Sequence, residues 1–392
     1  MLFRSQQPFY FRGAFNGINA VGVFPNIRAM IAGTANGADQ PTAAAFRVTR
    51  TFDHDNFKTP TYYRYNLTLQ RALPGQLVAK VGYVGSVSRH LARRQSLNTF
   101  PQPIRQADGS LFFPCAAASA ICYTPAPQFI NPNFSQIEWM SSDANSSYNA
   151  LNASLQQQFR NGMTFQTSYT WSKCIDDSSS SETNYSTAAT LGQWSPDRTL
   201  ERARCNFNIP HAFVANGLYE LPFGAGRKFM NAGGVADWVL GGWQVGGVLT
   251  IQQGLPFTVT TSFRAPGFTG FAANRPNLTP TADAKKATSG SFGTRDQYFD
   301  PSMVVNPAGG TLGNTSRNFL LGPPLATLNF TLSKSFSFTE RTKLQFRSEY
   351  FNALNQTNLS FPASNINVAP PYRITDTSTK ARQIQLALKL TF

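Results

Sequence analysis

The chain ends in IQLALKLTF, where Ile384, Leu386, Leu388, Leu390 and Phe392 alternate with Gln385, Lys389 and Thr391. Successive side chains of a β-strand point to opposite faces, so this run predicts a strand with one greasy face. The same period of two recurs upstream. In KLQFRSEYFNALN (343–355), Leu344, Phe346, Ser348 and Tyr350 oppose a polar row of Lys343, Gln345, Arg347 and Glu349. Arg347 and Glu349 stand two apart on that row, either paired with each other or separately solvated. Before them, Leu328, Phe330, Leu332, Phe336 and Phe338 alternate with Asn329, Thr331, Ser333, Ser335 and Ser337, and Thr339-Glu340-Arg341 closes a hairpin.

Earlier segments repeat the pattern. SSYNALNASLQQQF (146–159) turns at Asn161-Gly162 into MTFQTSYTWSK (163–173), and Asn-Gly between alternating runs is a strong hairpin signal. YYRYNLTLQRAL (62–73) and QLVAKVGYVGSV (76–87) meet at Pro74-Gly75, and residues 208–224 lead through a glycine-rich turn to a strand near 238–253. The reading gives nine strands. Composition agrees: charged residues are only 14 %, aromatics 13 %, and there are 29 Gly and 25 Pro. Globular proteins carry about 25 % charged residues, and disordered chains lack so many aromatics. At 392 residues, a prior of roughly one domain per 150 yields to the tendency of closed β structures to run longer as one unit. No stretch supplies the ~18 uninterrupted apolar residues of a membrane helix.

The connections alternate in length. Pro74-Gly75, Asn161-Gly162, the turn from Gly224 and Thr339–Arg341 are short, whereas about 88–145, 174–206, 254–324 and 356–380 are long. A 12-residue strand reaches about 40 Å, enough to cross an outer membrane while tilted. The expected fold is therefore all-β: a transmembrane antiparallel up-and-down β-barrel, with short periplasmic turns and long extracellular loops. A secreted sandwich also alternates, but its strands are shorter and its loops are not systematically long on one side. With a periplasmic carboxyl end, nine strands place residues 1–61 outside the cell as a loop or incomplete-strand remnant, and 62–392 as barrel. Single-chain bacterial barrels have even strand numbers. Either upstream strands precede this stretch, or Phe9–Phe15 or Ala45–Phe52 supplies a tenth. The first 30 residues show no secretory h-region, so export is expected to be encoded further upstream.

Chemistry is sparse. The three histidines, His54, His90 and His211, fit no zinc spacing. Asp53-His54-Asp55 and Asp176-Asp177 read as solvated loop clusters, and no GxSxG or P-loop occurs. No catalytic residue, cofactor or metal ligand is expected. The net charge of +15 is scattered rather than gathered in a nucleic-acid motif, so no nucleic-acid partner is expected. Cys115 and Cys122 share one long loop, and Cys174 and Cys205 stand at the two edges of another. An oxidising compartment would bridge each pair as a loop staple, the alternative being free thiols.

SSYNALNASLQQQF, SYTWSKCIDDS (168–178), LYELPFG (218–224), GGWQVGGVLTIQQGLPFTV (241–259) and KLQFRSEYFNALN resemble, in order and spacing, the C-terminal barrel half of Oar-like TonB-dependent outer-membrane receptors. The resemblance implies part of a larger plugged barrel that binds and takes up a large substrate. It makes Phe392 the signal read by the barrel-assembly machinery, and outer-membrane lipid the surroundings. It brings in a plug domain and TonB as partners only where upstream sequence encodes them. The rival class is a surface adhesion or structural barrel that transports nothing.

Overall fold

The computed structural model describes residues 10–11, 48–53, 55–96, 103–113, 136–179, 192–194, 196–224, 226–230, 234–262, 274–339, 341–369 and 372–392. Nine long strands dominate them: β1 (Thr61–Leu73), β2 (Leu77–Ser96), β3 (Gln136–Arg160), β4 (Met163–Asp176), β5 (His211–Glu220), β6 (Trp243–Gln252), β7 (Leu325–Ser337), β8 (Lys343–Phe351) and β9 (Gln383–Thr391). Each pairs antiparallel with its neighbour in sequence, so the chain runs up and down through one sheet. The sheet does not close. Among the described residues, β1 pairs only with β2 and β9 only with β8.

Register carries the sequence pattern across the whole sheet. Ile384 lies opposite Tyr350, Tyr350 opposite Phe330, and Leu386–Ser348–Leu332–Val245–Tyr219–Met163 forms a continuous row. On the other face run Arg347, Ser333, Gln244 and Glu220. From β4 to β9 one face is thus mostly apolar and the other mostly polar, with Lys334 on the first and Leu218 and Val248 on the second as exceptions. A slip of one residue would exchange them, so burial of the greasy face fixes the pairing.

The hairpin turns follow from local chemistry. Asn161 (φ 50°) and Gly162 (φ 79°) both take the left-handed conformation that a tight two-residue hairpin demands. At the β7–β8 turn, the Thr339 hydroxyl accepts the Thr342 N–H at 2.9 Å.

Two elements differ from the sequence reading. Residues 238–242 do not open a strand: Gly234–Leu240 forms a short helix, α1, and β6 begins at Trp243. GVADWVL has no alternation, and seven residues hold no helix unaided. Tertiary contacts hold this one, because Lys334 Nζ donates to Trp238 O (2.6 Å) and Val239 O (2.9 Å), and the Trp243 indole N–H donates to Val239 O (3.1 Å). Second, β2 and β3 run past 87 and begin before 146, extending as arms at the long-loop end. Register shifts between Ser88 and Arg93, and His90 at φ 58°, mark where alternation breaks. Val48–Phe52 pairs in parallel with the outer arm of β3, and Tyr10–Phe11 pairs with it in turn. Neither lies beside β1. The rest of 1–47 lies outside the described residues.

The core sits apart from the sheet. Loops following β6 and β8 gather Phe257, Val259, Tyr298, Phe299, Met303, Val304, Leu320, Tyr372 and Ile374 into a buried apolar cluster. The Thr260 N–H bonds Ser364 O, and the Tyr298 N–H bonds Tyr372 O, so the two loops form one folded cap.

Candidate functional site: the polar face and its cap

The polar face of the sheet holds a recess of about 480 Å³, lined among others by Gln156, Gln166, Asn216, Gln244, Asn329, Thr331, Gln345 and Arg347. Period two places each of them there, and most of the inward residues of β3, β4 and β7 are amides, hydroxyls or small, joined by Leu218, Val248 and Arg347. The lining offers many neutral donors and acceptors and few charges. Arg347 Nε lies 3.1 Å from Glu349 Oε1, the arginine exposed and the glutamate partly so. A pair so solvated contributes little stability. The Glu220 carboxylate accepts from Gln244 Nε2 at 3.3 Å and pairs with Arg227.

Above β4, the described residues of the 177–210 connection are locked into the cap by buried charges. Arg317, 2 % exposed, donates to the Asp176 carboxylate, to Ser179 Oγ (2.8 Å), to Asn206 Oδ1 (3.2 Å) and to Glu201 O (3.2 Å). Glu201 accepts from Arg275 Nη1 at 3.0 Å through Oε2, and from the Gln193 N–H at 2.8 Å through Oε1. Asn274 Oδ1 accepts from Gln193 Nε2, Arg275 N and Gly313 N. Buried charges persist only when paired and hydrogen-bonded, as these are. Asp177 ion-pairs with Arg198 Nε at 3.2 Å and accepts the Asn145 N–H. Burial nonetheless holds its carboxyl above the usual aspartate range, the Asn145 hydrogen bond and Arg198 pulling the other way. The reading of Asp176-Asp177 as a solvated cluster is therefore corrected: both are buried. Arg317 and Arg198 lie far along the chain from one or both, which alternation cannot show.

Cys174 and Cys205 are joined by a disulfide, 31 residues apart in sequence, tying the end of β4 to the strand pair Ile175–Arg204 and Asp176–Ala203. Cys115, Cys122 and His54 lie outside the described residues. Phe392 ends the chain beyond β9 and is 93 % exposed. Among the described residues, no group of three or more His, Cys, Asp or Glu side chains converges on a metal position. His211 instead sits on the apolar face, with Nδ1 2.6 Å from Tyr169 Oη and its ring parallel to Trp171.

A family model described as an outer membrane beta barrel domain matches residues 2–385. The chain belongs to this family. The barrel is thus one of the bacterial outer membrane. Among solved structures, the chain is similar to the outer membrane transporter YddB from Escherichia coli, at 10 % identity and TM-score 0.42, over 89 % of this chain and 34 % of that one. It is similar to a chain of the FpvAI–pyocin S2 complex, at 10 % identity and TM-score 0.37, over 85 % and 28 %. A third is the FrpB iron transporter from Neisseria meningitidis, at 8 % identity and TM-score 0.36, over 88 % and 32 %. The chain spans about a third of the length of each. No curated protein matches it.

Membership in the outer membrane barrel family gives the aromatic residues of the outer face a place. Trp171, Tyr169 and His211 form a belt toward the long-loop end, and Trp243, Phe336 and Phe346 one toward the short turns. Gln253, bonded through its N–H to His211 O, is ten residues from Trp243. Ten residues at about 3.3 Å, inclined by about 40°, rise about 25 Å, the height of the apolar band of such barrels.

Proposed function

We propose that the chain is the C-terminal portion of a TonB-dependent receptor of the Oar-like kind, whose barrel binds a large substrate and passes it across the outer membrane. One observation carries the reading: among the described residues the wall is open on both sides. Among the described residues, β1 and β9 each keep an unpaired edge. Such edges are unstable until another strand pairs with them. Further strands, encoded upstream of Met1, would complete the cylinder. The polar face would then line a lumen wide enough for a plug, its amides and hydroxyls meeting plug and water, while the cap receives substrate outside. Cys174–Cys205, and Cys115–Cys122 if bridged, act as loop staples, and Phe392 as the assembly signal for the barrel-assembly machinery. The chemistry is binding and passage rather than catalysis.

Sequencing the genomic DNA upstream of the Met1 codon tests this. A continuous reading frame encoding a plug, a TonB box and further strands is the expected result. An in-frame stop just before Met1 would contradict transport and leave the adhesion or structural reading.

A further inference from the structure

The helix α1 stands on the outside of the wall. Lys334 belongs to the lipid-facing row, because it lies opposite Phe346 on β8 and Trp243 on β6, with Phe336 two residues on along the same face. Its ammonium reaches the carbonyls of Trp238 and Val239, and the Trp238 ring packs 5.0 Å from that of Phe336. The helix is therefore fastened to the lipid side of the sheet, at the short-turn rim, and not over the polar recess. Yet Val235, Trp238, Val239 and Leu240 are 78 %, 51 %, 47 % and 47 % exposed. Val235, Trp238 and Val239, three and four residues apart, share one helical face.

We propose that α1 is an in-plane anchor whose apolar face is covered by glycerophospholipid of the leaflet on the short-turn side, at the boundary between headgroups and acyl chains. The inference rests on the outer-membrane location of the barrel and goes beyond transport. Three observations select lipid as the occupant. The exposed patch continues the lipid-facing belt through Trp238, Phe336 and Trp243. It sits one apolar-band height below the Trp171–His211 belt. Lys334, a charge on a lipid-facing row, is 3 % exposed, with two carbonyls and the rings of Trp243 (5.6 Å) and Phe336 (4.8 Å) in place of water. That arrangement belongs where a long cationic chain lies at an interface. Amphipathic interfacial helices seat their apolar face in the same zone.

The test uses the protein expressed from its complete reading frame and reconstituted in phosphatidylcholine–phosphatidylglycerol vesicles containing lipid brominated either near the headgroup or near the chain end. Subtracting the emission of Trp238→Phe from that of the unsubstituted protein isolates Trp238, and Trp171→Phe isolates an outward tryptophan of the opposite belt as the control. The proposal predicts blue-shifted Trp238 emission, quenched about twofold more by headgroup-proximal than by chain-end bromines. Lys334→Gln should release the helix and shift that emission to the red. Water-like Trp238 emission, unquenched by either lipid while Trp171 is quenched, would overturn the anchor and leave the barrel standing. Stronger quenching from the chain end would overturn the interfacial seat. If neither tryptophan is quenched, the membrane-spanning reading fails with it.

Discussion

Arg317 illustrates how single side chains organise the long-loop end. It contacts Asp176 at the top of β4 and the backbone of Glu201 in the following loop, although it lies more than a hundred residues from both. Arg317→Met should cost about 3–5 kcal/mol of cap stability, because it leaves the buried Asp176 carboxylate without its partner. Hydrogen exchange resolved by segment should show faster exchange over 177–210 and 274–324 and little change in the strands. A second prediction concerns pH. Burial pushes Tyr298 up to about 12, and burial with the nearby Asp300 does the same for Tyr372. A folded-state value above the unfolded one, about 10, means the folded cap holds these protons more tightly. The stability they contribute is complete below pH 10 and is lost as pH rises toward 12. Tyr298→Phe should flatten that alkaline decline, measured as cap exchange against pH, at the cost of the hydrogen bond from its hydroxyl to Leu321 O (3.1 Å).

Among the elements, the disulfide and the edge strand give the clearest expectations. Replacing Cys174 and Cys205 by Ser frees a loop of 31 residues, worth about 3–4 kcal/mol by chain entropy. The cap should then melt at lower temperature while the sheet keeps its strand signature in circular dichroism. On β9, Leu386→Asp with Leu388→Asp puts carboxylates on the lipid face, where a charge near the midplane costs up to ~2–4 kcal/mol. Heat-modifiable migration on gels should disappear, and folded, water-soluble double variant would contradict the orientation of the face. Strands of this kind are legible in sequence because alternation writes both faces at once, and Leu386 could be assigned outward from its neighbours alone. The arms of β2 and β3 were not, since RHLARR breaks the period where the strands bend. Nor was α1, whose seven residues depend on Lys334 from β7, almost a hundred positions away. The cap was least legible. Its core draws Phe257, Tyr298 and Tyr372 from separate loops without periodicity, and the Arg275–Glu201 and Arg317–Asp176 pairs join positions more than seventy apart. Aromatics scattered through otherwise polar loops were the one available hint.

For the whole molecule, sheet, cap and α1 follow from one polarity: short turns at one end, long folded connections at the other. The proposed account stands this wall in the outer membrane with its apolar face toward lipid and its cap outside the cell. Cysteine labelling on intact cells tests this most directly, using a membrane-impermeant maleimide and single substitutions at Lys285 in the cap and Arg341 in the β7–β8 turn, both exposed. The account predicts that Lys285→Cys is labelled on intact cells, whereas Arg341→Cys is labelled only after the outer membrane is permeabilised. Labelling of Arg341→Cys alone on intact cells, or of neither before permeabilisation, would contradict it.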